Sequence, residues 1–159
     1  MSPETAFQTA VLDHLKGDAD VQAALGDPAR VFTVAPNGAR FPYLSVGRGE
    51  SEPADADQTD LIDCRLTLHI WGRRDDLDSL KDAAGAVRAA LHQADLTLPS
   101  PHACILCRVV YADLFTGADG RTLHGVVRVR GLVQAWDSLD KTKAGRFVDR
   151  NVTCANVSR

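Results

Sequence analysis

Hydrophobic positions near the start of the chain recur at helical spacing. Ser2–Glu4 is a typical helix start, because a hydroxyl N-cap, a proline in the first turn and an early carboxylate all favour one. Gly17 is suited to end the helix, and Asp18 to cap a short second turn that closes at Gly26. The pattern therefore predicts an amphipathic helix over about residues 3–16. Its apolar positions are Ala6, Phe7, Ala10, Val11 and Leu15.

Two apolar runs follow that have the composition of strands. Val31–Val34 precedes the turn sequence Pro36–Gly38, and Phe41–Val46 is a second extended run. Its proline, Pro42, is typical of a strand start or a sheet edge. Between Gly47 and Asp57 the apolar pattern is lost, and we expect a mobile loop there.

The central segment Leu61–Trp71 alternates strictly between apolar and polar residues, which predicts a long strand with one buried face. The apolar face holds Ile62, Cys64, Leu66, Leu68 and Ile70, and the other face holds Asp63, Arg65, Thr67, His69 and Trp71. Asp75 and Asp76 then favour a helix start, since apolar residues follow at spacings of three and four. These residues are Leu77, Leu80, Ala84, Val87 and Leu91.

Two further apolar segments predict a closing hairpin. Ile105–Phe115 and Leu123–Trp136 are joined by the short, glycine-containing turn Thr116–Gly120, which favours antiparallel pairing. The order of elements predicts an α+β fold, with a mostly antiparallel sheet of about four to five strands and two main helices packed on one face.

A domain boundary is predicted near the end of the chain. Residues 1–137 form one α+β domain in this interpretation, and 138–159 form a flexible arm with five basic residues against two acidic ones. The basic residues that we take as candidate interaction residues are Lys141, Lys143, Arg146 and Arg150.

Composition narrows the class of protein. A chain of 159 residues with 25% charged and 45% hydrophobic residues is typical of one ordinary globular domain. The formal charge of −3 argues against a general nucleic-acid binder, because affinity for phosphate backbones needs clustered Lys and Arg. The sequence has no apolar run that would span a bilayer and no signal peptide, so we expect synthesis in the cytoplasm. Its four cysteines are then expected to be reduced, structural thiols.

Candidate chemical sites are few. The spacing of His102, Cys104 and Cys107 is compatible with zinc, but the two cysteines are expected on opposite faces of a strand, and no second ligand pair follows at zinc-finger spacing. The five histidines are scattered without a nucleophile pattern nearby, although a triad assembled in space stays open. Gly47 and Gly49 do not match a phosphate-binding loop. We therefore expect no catalytic, cofactor or metal site.

Charge is segregated along the chain. Six carboxylates occur between Glu50 and Asp63 without an intervening Lys or Arg. One interpretation is a solvated loop. The other is that this acidic segment and the basic arm dock onto other chains, with complementary charge setting the register. The candidate interaction residues in the acidic segment are Glu50, Glu52, Asp55 and Asp57.

Seven short segments carry a resemblance to a known family through their sequence and their order. The first four are Leu12–Leu15, Val21–Gly26, Arg30–Phe32 and Phe41–Val46, and the last three are Cys64–Trp71, Leu80–Leu91 and Gly125–Val133. They resemble the tail completion, or tail terminator, family of long-tailed bacteriophages and gene transfer agents, and the last three are similar to its central strand, second helix and final strand. The resemblance covers about residues 4–135, and the arm lies beyond it.

The resemblance implies a structural virion protein rather than an enzyme, with no cofactor. Such a subunit is expected to form a homo-hexameric ring at the head-proximal end of the tail, cap the tail tube, stop its polymerisation and meet the head connector. DNA passes only as cargo, and no membrane is involved. We expect the acidic segment Glu50–Asp57 to face the channel or the tube, because a lumen poor in positive charge does not retain DNA.

Two alternatives stay open at this point. A neighbouring head-tail adaptor is of the same class, because connector subunits are also small ring-forming proteins. A small metal-dependent enzyme using His102, Cys104 and Cys107 belongs to a different class.

Overall fold

The computed structural model describes residues 1–55 and 60–135, which form a layer of helices on a five-stranded sheet. A 3-10 turn, Arg74–Asp76, precedes the third helix. In chain order the elements are α1 (Pro3–Gly17), α2 (Ala19–Leu25), β1 (Val31–Phe32), β2 (Tyr43–Pro53), β3 (Leu61–Arg73), α3 (Leu77–Leu91), β4 (Ala103–Thr116) and β5 (Thr122–Gln134).

Both N-terminal helices begin where the sequence indicates. The backbone N–H of Thr5 donates to the Ser2 hydroxyl at 3.2 Å, and Asp18 accepts from the N–H groups of Asp20 and Val21 at 3.0 Å. These caps satisfy N–H groups that have no partner inside the helix. In the part of the chain that the structure describes, none of the helices has the length and apolar character needed to cross a membrane.

The strand order is β1-β2-β3-β5-β4. The pair β1–β2 is parallel and the other three pairs are antiparallel, so the predicted mostly antiparallel α+β sheet is confirmed. The sheet has five strands, the upper number of the expected four to five, and α2 adds a third helix to the two main ones. β1 is also shorter than the expected 31–34.

The prediction of a loop from Gly47 to Asp57 is wrong for most of that segment. β2 continues to Pro53 and pairs with β3 from Gly49↔Leu66 to Pro53↔Ile62, after a bulge between Val46 and Gly49. Glu50–Pro53 is exposed, so no apolar alternation marks it. This half of β2 is held by backbone hydrogen bonds to β3, because strand pairing requires backbone groups and not apolar side chains.

The core lies between the helices and one face of the sheet. The predicted alternation of β3 is confirmed on this side, where Leu66, Leu68 and Ile70 are buried. Helix α3 contributes Leu80, Val87 and Leu91, and α1 contributes residues such as Phe7 and Leu15. The Phe7 ring packs directly over the backbone of Gly131 in β5, so closely that a Cβ there would overlap it.

A matched pair of glycine substitutions tests this close packing. We expect Gly131→Ala to lower the free energy of unfolding by about 1–3 kcal/mol, because the added methyl group would overlap the buried Phe7 ring and force it to shift within the core. Gly85→Ala in α3 should instead raise it by about 0.5–1 kcal/mol, since nothing lies within 4 Å of the added methyl group and alanine favours a helix. Urea denaturation measures both. Equal effects of the two substitutions would contradict the packing described.

Candidate interaction surface

The second face of the sheet, which we call the open face, carries polar and aromatic side chains. In the described residues α1 and α3 contact the other face of the sheet, and α2 packs against α3. Paired residues in an antiparallel ladder point to the same side, so the register identifies the members of the open face. Its central rows hold Arg65 opposite Arg130, Thr67 opposite Arg128, His69 opposite Val126 and Trp71 opposite His124.

An ion-pair network lies on the open face around Asp63, which is only 6% exposed. Its Oδ2 accepts from Arg130, with the Nε at 2.9 Å and the Nη2 at 2.8 Å, and from the Nη2 of Arg65 at 3.3 Å. Arg65 also contacts Glu52 at 3.4 Å. The two arginines stand opposite each other in the ladder, and the carboxylate between them offsets a repulsion that like charges would otherwise produce.

The network shifts the protonation equilibria of its members. The hydrogen bond from Arg130 is the largest cause that holds the pKa of Asp63 below its ordinary value of 3.8, and it outweighs the effect of burial. The same hydrogen bond raises the pKa of Arg130. Asp63 is therefore a structural ion-pair partner at neutral pH, although the sequence places it in the same acidic run as Glu50.

An aromatic cluster occupies the other end of the open face. The Trp71 ring stacks on His124 with centroids 4.0 Å apart, and its Nε1 donates to the Ser45 hydroxyl at 3.1 Å. His69 Nδ1 and His124 Nε2 lie 2.7 Å apart, so one ring donates and the other accepts. Burial lowers the pKa of His69, and burial together with the neighbouring His69 lowers that of His124. The neutral pair is thus favoured near pH 7.

The outer strand β4 concentrates exposed apolar side chains. Ile105 is 56% exposed, Val110 50%, Tyr111 47% and Phe115 45%. In the described residues β4 pairs only with β5, and bulges interrupt its register between Cys104 and Leu106 and between Val109 and Tyr111. A long edge strand with exposed apolar residues is typical of a surface that another chain covers.

The predicted acidic residues are only partly brought together. Glu50 and Glu52 lie two residues apart on β2 and are exposed, and Asp55 follows the end of the strand. Glu50 contacts Arg48 at 2.7 Å. Asp57 and the basic residues Lys141, Lys143, Arg146 and Arg150 lie outside the described residues, as does the predicted arm 138–159.

The expected placement of the two strand cysteines on opposite faces is wrong. Cys104 pairs with Val133 and Cys107 with Gly131, two residues apart on β5, so both face the helices. The bulge at Ile105 supplies the extra residue that causes this. Burial raises the pKa of Cys107 to about 12 and also raises that of Cys104. Among the described residues, no three His, Cys, Asp or Glu side chains are grouped so that they could hold a metal ion.

Sequence reasoning missed the basic residues of the open face. Arg128 and Arg130 alternate with buried valines along β5, a signal that is visible in the sequence. Arg108 joins them only because β4 lies beside β5, and this strand order is a property of the folded sheet.

The fold and surface together define a class: an α+β subunit whose charged open face and apolar outer strand are suited to binding other proteins. Comparison with known families gives the identity within that class. The model of the family described as tail completion protein gp17 matches residues 9–134, and the chain belongs to this family of structural virion tail proteins. The resemblance noted in the sequence is thereby confirmed.

Two solved structures are similar. A chain in the virion of a native gene transfer agent particle has a TM-score of 0.75 and 23% identity, over 84% of this chain and 98% of that one. The gp17 protein of bacteriophage SPP1 has a TM-score of 0.54 and 20% identity, over 84% and 91% of the two chains. At these identities the similarity shows the shared fold. No curated protein matches the chain.

The Asp63 network predicts a specific pH dependence. Because the folded state lowers the pKa of Asp63, its stabilisation is fully present above about pH 4 and is lost as the pH falls through the lowered value. Asp63→Asn should therefore cost about 1.5–3 kcal/mol of unfolding free energy at pH 7 and much less near pH 2.5. Urea denaturation at several pH values measures the difference.

Glu52→Gln is the control, since its contact with Arg65 is exposed and should contribute less than about 1 kcal/mol at any pH. A deficit in Asp63→Asn that is equally large at pH 7 and pH 2.5 would contradict the assigned role of Asp63.

Proposed function

We propose that the chain forms a homo-hexameric ring that caps the head-proximal end of a tail tube, ends tube polymerisation and joins the tail to the head connector. The match of the tail completion family over residues 9–134 carries this proposal. The similar fold of a chain in a gene transfer agent virion supports it. The mechanism is protein association without catalysis or a cofactor.

The described surface supplies suitable contacts for such a role. A ring subunit needs two different surfaces for its two neighbours and further surface for the tube and the connector. The outer edge of β4, with its exposed Ile105 and Val110, and the exposed acidic end of β2 lie at opposite ends of the described sheet. The open face between them is broad and charged.

The acidic end of β2 is part of the proposal. Glu52 and Asp55 extend beyond the part of β2 that β1 covers and are exposed to approaching chains. Negative charge at a DNA channel also reduces retention of the passing DNA. The contribution of Asp57 and of the basic residues Lys141, Lys143, Arg146 and Arg150 stays a prediction.

Tube capping tests the function directly. The purified protein, added to polymerising tail-tube subunits of the same particle, should stop elongation at one end, seen as a plateau in tube length by electron microscopy. Tubes that continue to lengthen at both ends, with protein bound elsewhere or not at all, would refute the proposal. Binding to portal-side connector proteins alone would instead favour an adaptor.

A charge reversal tests the acidic segment in the same assay. We expect Glu52→Lys with Asp55→Lys to weaken capping, because both positions are offered as contacts. The control is Asp13→Lys with Asp82→Lys, which makes the same change in net charge at exposed positions of α1 and α3. If the first pair caps as well as the control, the segment has no docking role.

A further inference from the structure

Two strand edges in this sheet are left without a partner among the described residues. β1 pairs with β2 only at Leu44 and Ser45, so the half of β2 that ends at Pro53 has one free edge. At the other end of the sheet, β4 pairs with β5 and has a free outer edge. Free edges of this kind are templates for pairing with another chain.

The directions of these two strands fit each other. Three successive antiparallel pairs connect β2 to β4, so the two strands run in opposite directions. A second copy displaced along the sheet would place its β2 antiparallel to β4 of the first copy and keep its helices on the same side. Such a contact is head-to-tail and leaves each copy with a free edge for the next.

The registers of the three ladders also place complementary charges at the two edges. Glu50 pairs with Arg65, Arg65 with Arg130, and Arg130 with Arg108, so these four residues form one row across the open face. Asp63 and Glu52 together offset the charges of Arg65 and Arg130. Arg108 lies beside Arg130 at the end of this row, is exposed and makes no ion pair within residues 1–55 and 60–135.

The two free edges also match in length. At the level of each row, Gly49 corresponds to Val109 and Pro53 to Cys104. The six residues of β4 and the five of β2 agree once the bulged Ile105 is allowed for. The bulge between Val109 and Tyr111 lies at the level where β2 has its own bulge.

We propose that Cys104–Val109 of β4 pairs with Gly49–Pro53 of β2 in a second copy of this chain, so that Glu50 of one copy neutralises Arg108 of the next. The inference rests on the proposed ring and specifies its subunit contact. Exposed Ile105 lies within the paired segment and Val110 borders it, so both come to lie at this contact. The diagonal position of Glu52 brings a second carboxylate near Arg108.

A charge swap tests the contact in the full-length protein. Sedimentation velocity over a concentration series should show assembly of the wild type, at about 103 kDa for six 17.1 kDa subunits. Arg108→Glu and Glu50→Arg, each alone, should raise the concentration needed for assembly at least about tenfold, because like charges then face each other at every contact. The double variant should return to within about threefold of the wild type.

Mixing gives a sharper result. An equimolar mixture of the two single variants should assemble, because every contact between unlike chains then joins opposite charges. Arg121→Glu is the control, since Arg121 is exposed in the turn between β4 and β5, outside both paired segments. Alone, this control variant should assemble as the wild type does. Mixed with Glu50→Arg, it should not restore assembly of the Glu50→Arg chains. Thermal melting by circular dichroism confirms that each variant is folded.

Single variants that assemble as the wild type does would overturn the proposed contact, and so would a mixture that does not rescue or a wild type that stays monomeric throughout. These results are separable from the function itself. Protein that caps tubes but ignores the charge swap would retain the tail-capping role and lose only this contact. Protein that follows the swap but never caps a tube would keep the contact and lose the role.

Discussion

The ladder between β3 and β5 fixes the position of most side chains on the proposed interaction surface. It runs without a register shift from Leu61↔Gln134 to Arg73↔Thr122, with the helices packed on one side. Because side chains alternate along a strand, burial of Leu68 and Val127 toward the helices requires their polar neighbours to lie on the open face. A slip of one residue would exchange the two sets and bury the arginines, so the core itself specifies where the charges lie.

Asp63 also helps to fix where the charged side chains of the open face lie. A nearly buried carboxylate is stable only where donors reach it, and here Arg130 and Arg65 do so from two strands. The network holds three charged groups in fixed positions in the middle of the sheet. The outer members of the same row lie at opposite edges: Glu50 in an exposed contact with Arg48, and Arg108 without an ion pair among the described residues. The ladders fix the backbone positions of these two end residues before any association.

Local patterns in the sequence were sufficient for much of the fold. Alternation in Leu61–Trp71, the helical spacing after Asp76 and the short turn near Gly117 predict β3, α3 and the closing hairpin, which the structure contains. The polar half of β2 was missed because its pairing depends on a strand that follows later in the chain. The bulge at Ile105 was missed for a similar reason, since bulges are set by the partner strand and not by local composition.

The candidate site was less predictable than the fold. Glu50 and Glu52 stand out as a charge cluster in the sequence, but Arg108, the proposed partner of Glu50 in a second copy, lies far from it along the chain and in a different strand. Only the strand order β2-β3-β5-β4 places the two at opposite ends of one row. The family resemblance supplied the class of protein, whereas the proposed contact between copies is argued from the register of the strands.

Hydrogen–deuterium exchange, measured residue by residue at increasing protein concentration, tests most directly whether copies associate through these edges. The account predicts that amides in Gly49–Glu52 and in Cys104–Val109 become protected together as assembly proceeds. Those in the hairpin turn Gly117–Gly120 should not change, since that turn belongs to neither edge. Protection confined to the outer side of α3, or assembly without added protection in β2 and β4, would contradict the account.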